Sequence, residues 1–158
     1  MPAPKAKPGV QVVARNKRAR FDYSIEETLE VGLELVGSEV KSLREGNANL
    51  SDSYALPERD QLFVHNLNIG PYKAASHLGH LPLRKRRLLL HRREIDKLLA
   101  KVKERGYSLV PLQVYFKQGW AKVELAVAKG KTHEDRREDI KEKETRREME
   151  RALRKKKV

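Results

Sequence analysis

The stretch GYSLVPLQVYFKQGWAKVELAVAK, residues 106–129, decides the fold. Gln118-Gly119 is a two-residue turn signal, and a hairpin folded about it pairs Lys117 with Trp120, Phe116 with Ala121, Tyr115 with Lys122 and Val114 with Val123. In that register Val110, Leu112, Val114 and Phe116 share a face with Ala121, Val123, Leu125 and Val127, so apolar meets apolar at every inner pair. The other face carries Tyr115, Lys117, Trp120 and Lys122. Pro111 lacks the N–H that a ladder needs and predicts a bulge or an edge there.

The same alternation recurs upstream. Phe21, Tyr23 and Ile25, then Leu29, Val31, Leu33 and Leu35, predict one long strand with an irregularity at 26–28, and Gly32 and Gly37 suit its coiling and its end. Glu26, Glu30 and Glu34 fall on the opposite, solvated face. Ser38 is placed as the cap of a short helix that runs to Arg44 and stops at Gly46. Leu50, Tyr54 and Leu56 alternate up to a turn at 57–61, and 62–69 reads as the answering strand with Phe63, His65, Leu67 and Ile69 on one side. Residues 70–83 carry loop chemistry, with two glycines and two prolines. From 84 to 105 the period changes: Ile95, Leu98, Leu99 and Val102 make one apolar helix face, with the basic residues turned mostly away from it. About six antiparallel strands with two or three flanking helices predict a mainly β fold, an oligonucleotide-binding-type closed barrel over residues 10–130. Residues 1–9 are expected to form a disordered arm, and 131–158 a basic tail that becomes helical on a surface that supplies contacts.

Charge narrows the partner. The 158 residues hold 35 Lys and Arg against 22 Asp and Glu, a net of +13. The excess is patchy: residues 84–105 hold ten bases and three acids, 129–158 thirteen and eight, and 1–20 six bases and no acid, while 21–60 holds ten acids and three bases. Separated basic zones fit a polyanion that is tracked along its phosphates. Cysteine is absent, which removes disulfides, thiol nucleophiles and thiolate metal sites. No apolar run reaches the roughly 20 residues of a membrane span, and the start lacks a signal peptide's apolar stretch, so the cytoplasm is expected. Phosphate-loop, dinucleotide and nucleophile-elbow patterns are missing, and His77 and His80 sit in a loop without a nearby carboxylate, so neither enzyme chemistry, nor a cofactor, nor a metal is expected. A core ribosomal component and an RNA-modifying enzyme stand as rivals to a non-catalytic RNA adaptor. The adaptor is favoured by Tyr115, Trp120 and Lys122 on one outer face, which offer stacking and a phosphate contact, and by the basic cluster Asn16-Lys17-Arg18-Ala19-Arg20.

The segments NKRARFDYSIEE from Asn16, GSEVKSLREG at 37–46, SDSYA at 51–55, LRKRRLLLHRREI at 83–95, GYSLVPLQVYFKQG at 106–119, and AKGK with DRREDIKEKE up to Glu144 resemble the SsrA-binding, or small protein B, family in order and spacing. The resemblance implies a bacterial, monomeric, non-enzymatic protein that binds the tRNA-like domain of transfer-messenger RNA and delivers it to stalled ribosomes for trans-translation. There it stands in for the anticodon arm, while elongation factor Tu and alanyl-tRNA synthetase are met only through the RNA. Carried over position by position, the RNA contacts fall on Asn16, Lys17, Arg18, Glu30, Leu89, His91 and Lys122. In the tail, Lys129, Lys131, Arg136, Arg137 and Ile140 would meet small-subunit RNA at the decoding centre and empty message channel, with His133 as the candidate stacker, or Glu134 at the equivalent place if the register is shifted by one. Gly130-Lys131-Thr132 departs from the family's usual GKK by one positive charge.

Overall fold

The computed structural model describes residues 9–74, 79–104 and 106–156; most of the expected N-terminal arm, and His77, lie outside them. Strands β1 (Val10–Arg15), β2 (Tyr23–Leu33), β3 (Ala48–Asn49), β4 (Tyr54–Glu58), β5 (Gln61–His65), β6 (Asn68–Ile69), β7 (Arg86–Leu89), β8 (Tyr107–Lys117) and β9 (Trp120–Gly130) are joined with helices α1 (Ala19–Asp22), α2 (Gly37–Arg44), α3 (Arg92–Lys103) and α4 (His133–Lys156). The order β8-β4-β5-β7-β2-β9 closes on itself through β8–β9, giving a ring of six antiparallel strands, with β1 added outside it against β8. Closure leaves each ring strand paired on both sides, so no ring edge is open to a foreign strand.

The hairpin folds in the expected register, from Lys117↔Trp120 to Val114↔Val123. The bulge that Pro111 announced lies between Pro111 and Gln113 and has a consequence that the pattern did not carry. One extra residue reverses the parity of β8, so Leu109, Val114 and Phe116 face the barrel core with Val123, Leu125 and Val127, whereas Val110 and Leu112 join a second cluster outside the barrel with Ala126 and Ala128 under Ala19 of α1. The placing of Val110 and Leu112 with the inner residues is thereby corrected. Burial of each large aliphatic side chain contributes about 1.5–3 kcal/mol, so both clusters carry stability.

Strand β2 has its irregularity between Ile25 and Glu27, but it begins at Tyr23; Phe21 belongs to α1. Helix α2 is entered at Val36, whose N–H donates to the Glu39 carboxylate at 3.0 Å; Ser38 lies inside the helix, its Oγ 2.9 Å from His80 Nδ1. In β5 the buried residues are Leu62 and Val64, opposite to the expected side. Asn66 at φ 58° then resets the parity, so Leu67 and Ile69 are buried as well. Gly46 (φ 82°) ends α2 in the conformation that favours glycine.

The largest correction concerns 84–105. Its first part is not helix: Arg86–Leu89 form β7, which pairs with β5 and β2, and α3 starts only at Arg92. Nor does Arg86 face solvent. It is fully buried; its Nε donates to the Glu39 carboxylate and its Nη1 donates to the Leu67 carbonyl at 2.6 Å, while Arg84 reaches the other Glu39 oxygen at 2.5 Å. Burial alone pushes the Glu39 carboxyl up, but Arg84, the Val36 N–H and Arg86 together hold it below the usual carboxylate range.

Candidate nucleic-acid interface

Residues directly opposite one another on paired strands share a face, with Cβ atoms about 5 Å apart. One such row crosses five strands: Leu89 of β7, Gly32 of β2, Lys122 of β9, Tyr115 of β8 and Val12 of β1. It lies on the outside of the barrel, since Val31, Leu33, Val114 and Val123 at the neighbouring positions fill the core. Gly32 contributes no side chain, and a Cβ there would stand 3.0 Å from Leu89 Cβ. Leu89, 45% exposed, therefore sits close on the β2 backbone with Lys122 on its far side, an apolar surface beside a cation.

The adjacent row is acidic. Glu30 of β2 faces Glu124 of β9, which pairs in turn with Gln113 of β8. Like charges opposite one another repel, and each carboxylate has its own partner: the Tyr115 hydroxyl donates to Glu30 at 2.5 Å, and the Gln113 amide donates to Glu124 at 2.5 Å. The Tyr115 bond is the main cause of a Glu30 carboxyl below its ordinary range, against burial and with help from Lys117 (3.4 Å) and Lys122. Burial, then the Glu30 bond, raise the Tyr115 hydroxyl well above the usual phenol range. Glu30 is thus an ionised acceptor whose Oε2 takes the Tyr115 hydroxyl and whose Oε1 lies 3.4 Å from the Lys117 ammonium.

Tyr115 itself is only 5% exposed, because β1 packs alongside β8. It is no open stacking platform, and the sequence reading of an exposed ring is corrected to a positioning role for Glu30. Trp120, 72% exposed at the hairpin tip, is the free ring of this face, paired with Lys117.

The lower half of the same face is covered by α1. Asn16 builds that junction. Its amide donates to the Leu50 and Pro111 carbonyls (3.3 and 3.2 Å), its Oδ1 accepts the Ala19 N–H at 3.2 Å, and its own N–H donates to Leu112 O at 2.7 Å. The expectation that this amide is free to read a base edge is corrected: its donors are spent on locking α1 over the β8 bulge. Lys17 and Arg18 are held out in solvent by that lock, with Asp22 3.7 Å from Arg18. His91 is exposed between β7 and α3.

The expected tail residues divide. Lys129, at the end of β9, places its ammonium over the Tyr107 ring at 5.8 Å. Lys131 is turned inward, 15% exposed, with its Nζ donating to Arg20 O at 2.9 Å and to the Asp139 carboxylate. Arg136 pairs with Asp22 at 3.7 Å, and Arg137 and Ile140 point to solvent. His133 is in the first turn of α4; its side chain lies outside the described residues. Among the described residues no group of three His, Asp or Glu side chains is placed to hold a metal, and no helix is long and apolar enough to cross a membrane.

These features meet close relatives. A protein of Myxococcus xanthus named SsrA-binding protein is 65% identical over 149 residues, 94% of this chain and 92% of the relative. One of Geobacillus thermodenitrificans with the same name is 58% identical over 144 residues, 91% and 93% of the two chains. A solved chain described as "tmRNA-SmpB: a journey to the center of the bacterial ribosome" superposes with a TM-score of 0.65 at 46% identity, over 80% of this chain and 93% of that one. The family model described as SmpB protein matches residues 13–155, from β1 to the last turn of α4, and the chain belongs to that family.

Proposed function

We propose that this protein binds the tRNA-like domain of transfer-messenger RNA on the outer β7–β2–β9–β8 face and escorts it to stalled ribosomes. The observation that carries the reading is the row Leu89–Gly32–Lys122 beside the ionised Glu30, together with the exposed Lys17 and Arg18 in the turn that leads into α1. A folded RNA elbow offers splayed bases, ribose hydroxyls and phosphates together. Leu89 supplies an apolar surface for a base, Glu30 accepts from base or ribose donors, and the three cations hold phosphates. Trp120 and His91 border the face at its two sides. The relatives named SsrA-binding protein and the neighbour described with tmRNA on the ribosome support the choice of RNA.

The same reading assigns α4 to the ribosome. In this reading Lys129, Arg137 and Ile140, with Lys131, His133 and Arg136, act at the decoding centre and in the empty message channel, the barrel standing where an anticodon arm would be. The protein acts as a monomer and transforms no substrate; elongation factor Tu and alanyl-tRNA synthetase are engaged through the RNA. A chain truncated after Gly130 tests the division of labour. Its affinity for transfer-messenger RNA in a filter-binding titration should match the full chain, while peptide tagging on ribosomes stalled at a message end should disappear. Loss of RNA affinity on truncation would refute the two-surface reading.

A further inference from the structure

Lys117, the last residue of β8, lies on the same outer face as Tyr115 two positions before it and stands opposite Trp120. Its ammonium is 3.4 Å from Glu30 Oε1 and 3.5 Å from Glu30 Oε2, nearly equidistant from the two oxygens. These are long contacts for a charge-assisted bond, which closes to about 2.7–2.9 Å. Two other surface lysines do close, Lys85 on Glu58 at 2.6 Å and Lys97 on Glu27 at 2.8 Å. The Tyr115 hydroxyl, in contrast, meets Glu30 Oε2 at 2.5 Å. Glu30 therefore has one tight donor and one loose one, and the loose one is a half-exposed ammonium on a flexible four-carbon stem.

Where Lys117 sits matters more than how strongly it is held. A carboxylate accepts a two-donor edge, such as neighbouring N–H groups of a base, with both oxygens turned to it. An ammonium almost equidistant from the two oxygens occupies that place. Tyr115 does not, because it takes a single lone pair of Oε2 and can stay bound while Oε1 and the rest of Oε2 accept from RNA. An exposed ion pair shifts an equilibrium by roughly fivefold at most, so RNA donors can displace the lysine. The freed ammonium then needs an anion, and the RNA that displaced it carries phosphates.

We infer that Lys117 is a further binding residue of the RNA face, held by Glu30 in the free protein and handed to a phosphate when RNA donors take the carboxylate. The inference rests on the proposed role of Glu30 as an acceptor for RNA. It makes Glu30 a guard of this cation as well as a contact: while the pair is closed, neither charge is offered to a ligand that lacks donors for the carboxylate.

Full-length Lys117→Ala, Glu30→Gln and the double variant, titrated with the tRNA-like domain of transfer-messenger RNA over a range of salt, test the handover. Both side chains are at the surface, so the variants should fold. Lys117→Ala should lower the salt slope by about one phosphate contact; an unchanged slope would show that the ammonium never reaches a phosphate. The sign of the coupling is the second criterion. Each single variant loses one RNA contact but is spared opening the pair, whereas the double variant loses both contacts and is spared that opening only once. Its affinity should therefore be roughly two- to fivefold lower than the product of the single losses predicts. Agreement with the product, or tighter binding than it predicts, would overturn the handover, since the pair would then be absent or would persist in the complex. The free protein gives a readout that does not involve RNA. Tyr115 is the main group holding the Glu30 carboxyl below its ordinary range, against burial and with Lys117 helping, so an NMR titration of that carboxyl should move up in Lys117→Ala. No movement would refute the pair itself, while failure of the parent to bind the RNA would refute the RNA reading and leave the pair standing.

Discussion

Arg86 and Glu39 are both fully buried and 47 positions apart in the chain, and each is tolerable only because of the other. Arg86→Met keeps most of the stem's bulk but leaves Glu39 with only Arg84 and the Val36 N–H. The expected loss is about 3–5 kcal/mol in urea unfolding at neutral pH. Protonation gives a second signature. The Glu39 carboxyl is held below its ordinary range, so its contribution is fully present above the unfolded value and disappears as pH falls through the folded one. In the variant, burial opposed by fewer cations pushes that carboxyl up, and protonation relieves it. The stability gap between parent and variant should therefore narrow on acidification; a gap constant down to about pH 3, below the ordinary carboxylate range, would contradict the assignment. This pair was illegible in the sequence, where RKRR at 84–87 looks like a solvated run, because nothing local marks which arginine meets an acid from another element. Lys122 was legible, since its outward side follows from turn and period alone. Tyr115 was only half so: its side of the sheet was right, but its cover comes from β1, a strand too short and mixed for the alternation to announce.

Between elements, β7 lies close against β2 at Gly32, on the face proposed to take the RNA. Gly32→Ala would put a methyl group 3.0 Å from Leu89 Cβ, and one of the two strands has to give. A cost of about 1–3 kcal/mol in stability is expected, together with weaker RNA binding as Leu89 is displaced. Parent affinity in the Gly32→Ala protein would show that the Leu89 position is not used. The periodicity reading found β2, β8 and β9 because their inner residues are mostly apolar; it placed β4 on Tyr54 and Leu56, which are exposed, whereas Ala55 is the buried residue of that strand. It lost β7 because two of that strand's four residues are arginines, and it mis-sided β5 because the reset at Asn66 is a single backbone angle.

For the whole molecule, the net charge of +13 makes affinity a function of salt. The logarithm of the binding constant should fall linearly with the logarithm of salt concentration, and Lys122→Ala should reduce that slope by about one phosphate contact. An unchanged slope would remove Lys122 from the phosphate contacts. The closed ring and its six strands were within reach of counting elements; the second cluster under α1 was not, since it depends on where a single bulge falls.

That bulge at Leu112 makes chain length, rather than side-chain chemistry, the sensitive variable of β8. Replacing Leu112 by another aliphatic residue changes one neighbourhood. Deleting it would slide everything on one side of it out of phase: either Val110 is driven into the interior and Leu109 out to α1, or Val114 and Phe116 are expelled to the surface. The strand thus tolerates respelling but not loss of a letter, and insertions or deletions among natural variants should accumulate in the 70–83 connection and avoid 107–117.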